Sequence, residues 1–246
     1  INGQPSSPPG MHIFPEGGVA ISASNDEFGR ADEHLVITAQ FHSRQHKQAD
    51  DLSFNYCVRT QPYIVDSGTF RYQYDLEERM FVESSRAHNT IEIDGLNSSR
   101  FRLDSYGSAL TNAYQVGECV FIEGLVHHKR LTSPTIPNNQ ITTDQCTAVN
   151  VEHRRMFIHK TGCFLLVIDE LTSENIHDYI QWFHLAEHLQ VNITSEKRIE
   201  VLNSDSSIHS TIHFVDQGTD KQEIISVKGQ TDPELQGWHS NDGLEL

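Results

Sequence analysis

Apolar residues in this chain come in short runs broken by Gly, Asp, Asn or Ser, and this spacing decides what it can fold into. Gly18–Ser22, His34–Phe41, Leu52–Val58, Tyr63–Val65 and Thr90–Ile93 mix β-branched and aromatic residues in strand-length pieces. Cys119–Val126, Cys146–Phe157, Cys163–Asp169, His177–Leu185, Ile208–Val215 and Glu223–Val227 continue the pattern. No stretch longer than about three turns holds a 3.6-residue apolar period, so helix is confined to a turn or two near Asp75–Phe81. About a dozen strands at this spacing predict an all-β fold, a large antiparallel β-sandwich. The segment 151–171 reads as a hairpin turning at Thr161–Gly162, and Ser133–Asn139, with two prolines and two asparagines, as a loop. Residues 1–11 read as a Pro/Gly linker and 12–246 as one domain.

Composition removes several function classes. At 246 residues and 37% hydrophobic content the chain can bury a substantial core. A net charge of −16 argues against nucleic acid, which calls for a broad basic face. No apolar run approaches the ~18 residues of a membrane span, and the first residues lack the layout of a signal peptide. Cys57, Cys119, Cys146 and Cys163 are too scattered for a disulfide framework or a zinc ribbon and read as buried free thiols. Asn97-Ser98-Ser99 and Asn192-Ile193-Thr194 match the glycosylation triplet, a pattern that arises often by chance.

The chemistry-bearing residues concentrate in 41–95, where His42, His46, Asp50, Asp51, Asp66, His88 and Asp94 stand among apolar alternations. Imidazoles and carboxylates on adjacent strands can converge on a metal or a sugar ring. Arg44 and Lys47, then Arg71, Arg79 and Arg86, offer a local positive cleft on an acidic body, because charges beyond roughly 8–10 Å are screened. The blocks HKQADDLSF (46–54), DSGT (66–69), AHNT (87–90) and IDG (93–95) resemble the heparinase II/III-like polysaccharide lyases. The likeness extends over most of 12–240.

That resemblance implies the C-terminal β-sandwich of an enzyme that cleaves uronate-containing glycans by β-elimination. It implies a partner domain, an N-terminal α/α toroid, with the active site between the two, and a periplasmic or secreted bacterial parent. It places His46 as the catalytic residue facing the cleft, and the local positive charge makes Arg44 and Arg86 the candidate substrate-binding residues. Gln48, Asp66 and His88 correspond to a zinc site, with Gln48 where the family has histidine. An amide oxygen is a weak zinc donor, so zinc is the implied cofactor in weakened form.

Plainer readings stand beside these. His88 can be a hydrogen-bonded strand histidine, Asp66 a turn aspartate, His46 a solvated loop residue, and Arg86 the partner of Glu83 or Glu77. His127 and His128 are strand neighbours on opposite faces, and His184 and His188 read as incidental. Asp50 and Asp51 are expected to face opposite ways, one anchoring its loop. Two other function classes compete with the lyase: a non-catalytic polysaccharide-binding or scaffolding sandwich, and a cupin-like metal enzyme.

Overall fold

The computed structural model describes residues 9–25, 31–205, 207–215 and 223–240. Two antiparallel sheets carry the fold. The first has the order β1 (Gly10–Phe14), β2 (Val19–Asn25), β3 (Ala31–Thr38), β5 (Ser53–Val58), β6 (Gln61–Ile64). The second is built on β10 (Leu110–Val116), β11 (Cys119–Thr132), β12 (Cys146–Lys160) and β13 (Phe164–Ser173), with β8 (Asn97–Ser98) pairing the far end of β11. A third sheet comprises β15 (Gln190–Ser195), β16 (Arg198–Leu202) and β17 (Ile208–His213). Two short pairs complete the set: β4 (Gln40–Phe41) with β9 (Gly107–Ser108), and β7 (Ile91–Ile93) with β14 (Tyr179–Gln181).

The alternation that predicts strands also builds the core. Leu35, Ile37, Phe54 and Tyr56 of the first sheet meet Val120, Ile122 and Phe157 of the second, all buried, with Phe54 edge-on to Phe157 at 5.2 Å. The β12–β13 hairpin turns at Thr161–Gly162, with Gly162 at φ 67° and Cys163 N–H donating to Lys160 O at 3.0 Å. Buried Glu33 pins this turn to the first sheet, accepting from Gly162 N–H and Tyr56 Oη and pairing with His159 Nε2. Helix is short, as expected: α1 spans Glu77–Val82.

Several boundaries differ from expectation. β1 begins at Gly10, inside the segment read as linker; the first eight residues lie outside the described ones. Residues 223–227 are irregular, and His177–Leu185 contributes only the three-residue β14 and a bridge at Leu185, its other backbone bonds going to Val65, Thr90 and Asp94 on separate segments. β10 and the β15–β16 hairpin are polar enough to escape an apolar-run reading. The four cysteines are free but not buried: three are partly exposed and Cys163 is exposed. The Asn97 side chain is buried and accepts from Ser85 N–H, whereas Asn192 is exposed.

A buried polar layer fixes the motif loops on the second sheet. Lys47 Nζ pairs with both Asp50 and Asp51, so the two carboxylates converge on one ammonium instead of facing opposite ways; they sit in a turn, with Leu52 at φ 57°, not in a strand. Tyr106 Oη donates to Asp51. Gly124 of β11 admits the close approach of this loop, since a Cβ there would lie 2.5 Å from Leu52 Cδ2. His127 is exposed and His128 buried, on opposite faces as expected, and His128 stacks on His153 at 6.0 Å.

Burial pushes the His128 imidazole down to about 4, beyond what Asp51 beside it restores. The unfolded chain therefore binds a proton near pH 6.5 that the folded chain refuses until about pH 4. Stability carried by this group is complete above ~pH 6.5 and falls with the pH across that window. Unfolding free energy is expected to drop between ~pH 7.5 and ~pH 4.5, and to drop by about 2–3 kcal/mol less in His128→Phe, which keeps a stacking ring without the titration. Equal drops in urea titrations of both proteins would refute this.

Candidate functional site

The loop following β4 and the segment around α1 enclose a surface cleft of about 300 Å³. Arg44, His46, Tyr74, Arg79, Glu83 and Asn138 line it. His46 is exposed, sits at φ 61° and stands edge-on to Tyr72 at 6.5 Å. That left-handed backbone turns the chain sharply between Arg44 and buried Lys47. Arg79 forms the floor: its guanidinium lies 5.5 Å from the Tyr74 ring, donates to Phe70 O at 2.7 Å and pairs with Glu83. Arg100 holds the other Glu83 oxygen at 2.8 Å. Burial and the nearby Arg44 and Arg79 charges depress the Arg100 guanidinium despite its bond to Glu83. Two guanidinium groups thus share one carboxylate with a third, Arg44, near Arg100, a local positive field in a chain of net charge −16.

The loop at Ser133–Asn139 closes one side. Asn138 O accepts from Arg44, and Asn138 Nδ2 donates to Lys47 O. Its composition announces a loop, but nothing in it announces a return across ninety-odd residues to Arg44.

The AHNT block is a staple. Asn89 Nδ2 donates to Phe54 O and Val65 O, both at 2.8 Å, while its Oδ1 accepts His184 N–H at 2.7 Å. The IDG block is a tight turn with Asp94 at φ 55° and Gly95 at φ 69°, bridged Ile93 to Leu96, the geometry Asp-Gly favours. Arg86 pairs with neither Glu83 nor Glu77; its guanidinium bridges Glu92, at 2.8 Å, and Glu234.

Asp66 and His88 meet, with Asp66 Oδ2 2.8 Å from His88 Nδ1. Burial alone would lower the His88 imidazole, but Asp66 beside it raises it; the same pairing outweighs burial and holds the Asp66 carboxyl below its usual range. The second Asp66 oxygen accepts Gly68 N–H at 2.9 Å, and Gln48 Nε2 donates to Gly68 O at 3.1 Å. His184, half-buried, is close enough for its charge to be felt by both and is pushed down to about 4 by burial and by His88. Its proximity is tertiary: His184, read from the sequence as incidental, is brought here by the fold.

These residues do not fit a zinc ion. Asp66 engages His88 Nδ1 and leaves only His88 Nε2 buried without a partner, the Gln48 amide nitrogen is given to Gly68 O, and no group of three His, Cys, Asp or Glu gathers among the described residues. Three protein donors are the minimum of ordinary zinc sites. Restoring the missing imidazole should restore affinity. Gln48→His is expected to gain roughly 3 kcal/mol of stability at zinc about 100-fold above its dissociation constant, with the native chain unmoved. Thermal unfolding with and without zinc tests this; a stabilised native chain would count against it.

The heparinase II/III-like C-terminal family matches residues 6–237. The chain belongs to this family. Its fold is similar to that of the heparan sulfate lyase HepC from Pedobacter heparinus, with a TM-score of 0.60 and 16% identity over 80% of this chain and 27% of that one. The heparinase III BT4657 gene product gives a TM-score of 0.57 and 15% identity over 78% of this chain and 26% of that one. At such identities the likeness is one of fold. The chain spans about a quarter of the length of these structures. No curated protein matches the sequence.

Proposed function

We propose that this domain forms one wall of the active-site cleft of a polysaccharide lyase that breaks uronate-containing glycans by β-elimination. The observation that carries the reading is the cleft itself: an exposed imidazole, His46, at the rim of a cationic floor on an otherwise acidic chain. In β-elimination the proton on C5 of the uronate leaves, negative charge spreads into its carboxylate, and the C4–O bond breaks as the leaving oxygen is protonated. In this reading His46 exchanges one of these protons. Arg44 and the Arg79 floor stand where fixed positive charge favours the enolate-like intermediate. Arg86, held between Glu92 and Glu234, is left out of substrate binding in this reading.

The opposite wall is assigned to an α/α toroid domain preceding this one, and glycosaminoglycans are the first substrates to try, alginate the second. The zinc position acts here only through its side chains: Asp66, His88 and Gln48 tie the Asp66–Gly68 turn to the loop bearing His46. The test is appearance of the ultraviolet-absorbing unsaturated uronate when the protein carrying this chain and its preceding domain meets heparan sulfate, heparin or alginate. The 246-residue chain alone is expected to give none, since half a cleft cannot hold a sugar between acid and base. Binding without cleavage by the longer protein would replace the lyase with a polysaccharide-binding module.

A further inference from the structure

The outer face of the β10–β13 sheet is apolar where a sheet facing water is ordinarily polar. Strand alternation sends Val120, Ile122, Phe157, Leu165 and Val167 into the core, so their neighbours point outward. The register aligns Tyr114, Phe121, Ile158 and Leu166 in one row across all four strands. Met156 and Ile168 extend this row on one side and Phe164 on the other. Tyr114 stacks on Phe121 at 4.9 Å, and Phe164, Leu166 and Ile168 on the edge strand β13 are 45%, 40% and 37% exposed.

Charges flank the central row: Lys160 shares the Phe164 row, and Glu123 shares the Met156–Ile168 row. The hairpin end has Lys160 paired with Glu118 at 3.0 Å. The other end has Arg154 among Glu123, Glu152 and Glu170, three carboxylates around one guanidinium. With its charged ends the face measures roughly 20 Å across the strands and 25 Å along them, about 500 Å² in projection against the ~800 Å² per partner of a standard interface.

We propose that this face is the interface of a homodimer in which a second copy packs the same sheet against it about a two-fold axis running across the strands. That axis superposes the apolar rows and brings Lys160 of each copy to the acidic end of the other. An axis along the strands would press the two acidic ends together. The cleft lies beyond the opposite end of β11, and Phe121 to Thr132 spans roughly 35–40 Å of strand. Both clefts therefore remain open, and a domain completing the cleft has no need to reach this face. The proposal is independent of the catalytic reading.

Sedimentation velocity of the 246-residue chain at about 100 µM, far above the Kd of a stable dimer, is expected to give the two-chain mass. Leu166→Asp, outward-facing and so neutral to the core, should give the one-chain mass with an unchanged circular dichroism spectrum. Lys160→Glu should weaken association roughly tenfold, and adding Glu170→Lys should recover most of it. A one-chain mass for the native protein overturns the proposal, as does a two-chain mass that survives Leu166→Asp. Should Leu166→Asp fail to fold, the charge pair decides: a Lys160→Glu loss that Glu170→Lys leaves unrepaired overturns this packing.

Discussion

Exchanging Arg155 for methionine is expected to destabilise the domain by about 3–5 kcal/mol, the range for removing one partner of a buried ion pair. Arg155 is fully buried on β12 and serves three clients. Its Nε and Nη2 grip Asp169 on β13 at 2.6 and 2.9 Å, and its Nη1 donates to Leu52 O at 3.0 Å and to Asn89 O. Burial would raise the Asp169 carboxyl, but Arg155 holds it well below the carboxylate range. Methionine fills similar volume but leaves Asp169 with His153 and Gln181 alone, and both carbonyls lose that donor. For a domain of this size the loss corresponds to a melting temperature lower by on the order of 10 °C. Arg155→Lys, with charge but no fork, should fall between. A shift below about 2 °C for methionine, at most about 1 kcal/mol, would mean that the carbonyls and Asp169 find other partners on relaxation.

If the longer protein is the lyase proposed above, removing its His46 imidazole is expected to lower turnover by roughly 10²–10⁴-fold, the contribution typical of a positioned acid or base. The choice of replacement matters. His46 occupies φ 61°, so alanine adds backbone strain, while asparagine tolerates that conformation. His46→Asn should therefore remove the chemistry and leave the loop. The ring is exposed, so little stability should go with it. A loss confined to kcat marks a group acting in the transition state, whereas a loss confined to KM marks ordinary binding. Unchanged kcat in both His46→Asn and His46→Ala would rule out His46 as the acid or base.

Much of the architecture was legible in the chain because two-residue alternation is local. Runs such as HLVITAQF and FLLVI announce strands without reference to any partner, although FLLVI, apolar throughout, does not say which of its residues face inward, and the Gly162 and Asp94–Gly95 turns follow from backbone preferences that neighbours do not alter. The strands that escaped, β10 and β15, are exposed along most of their length, so no inward-facing apolar set announces them. The motif blocks located the site region because Asp66, His88 and His46 sit inside recognisable local sequence.

What remained hidden depends on contacts between distant residues. Glu83 is claimed by Arg79 and Arg100, so Arg86 turns to Glu92 and Glu234; a sequence offers every nearby carboxylate and cannot say which one burial will force into a pair. His184 reaches the Asp66–His88 pair only because Asn89 binds its backbone across 95 residues. Asp50 and Asp51 share Lys47 because a left-handed Leu52 breaks the strand they would otherwise continue. Alternation and turn preference, set within a few residues, determined the class of fold and where its loops fall. Desolvation, which leaves a buried charge no option but the nearest complementary group, decided which side chains meet in the cleft, and that only the tertiary structure could show.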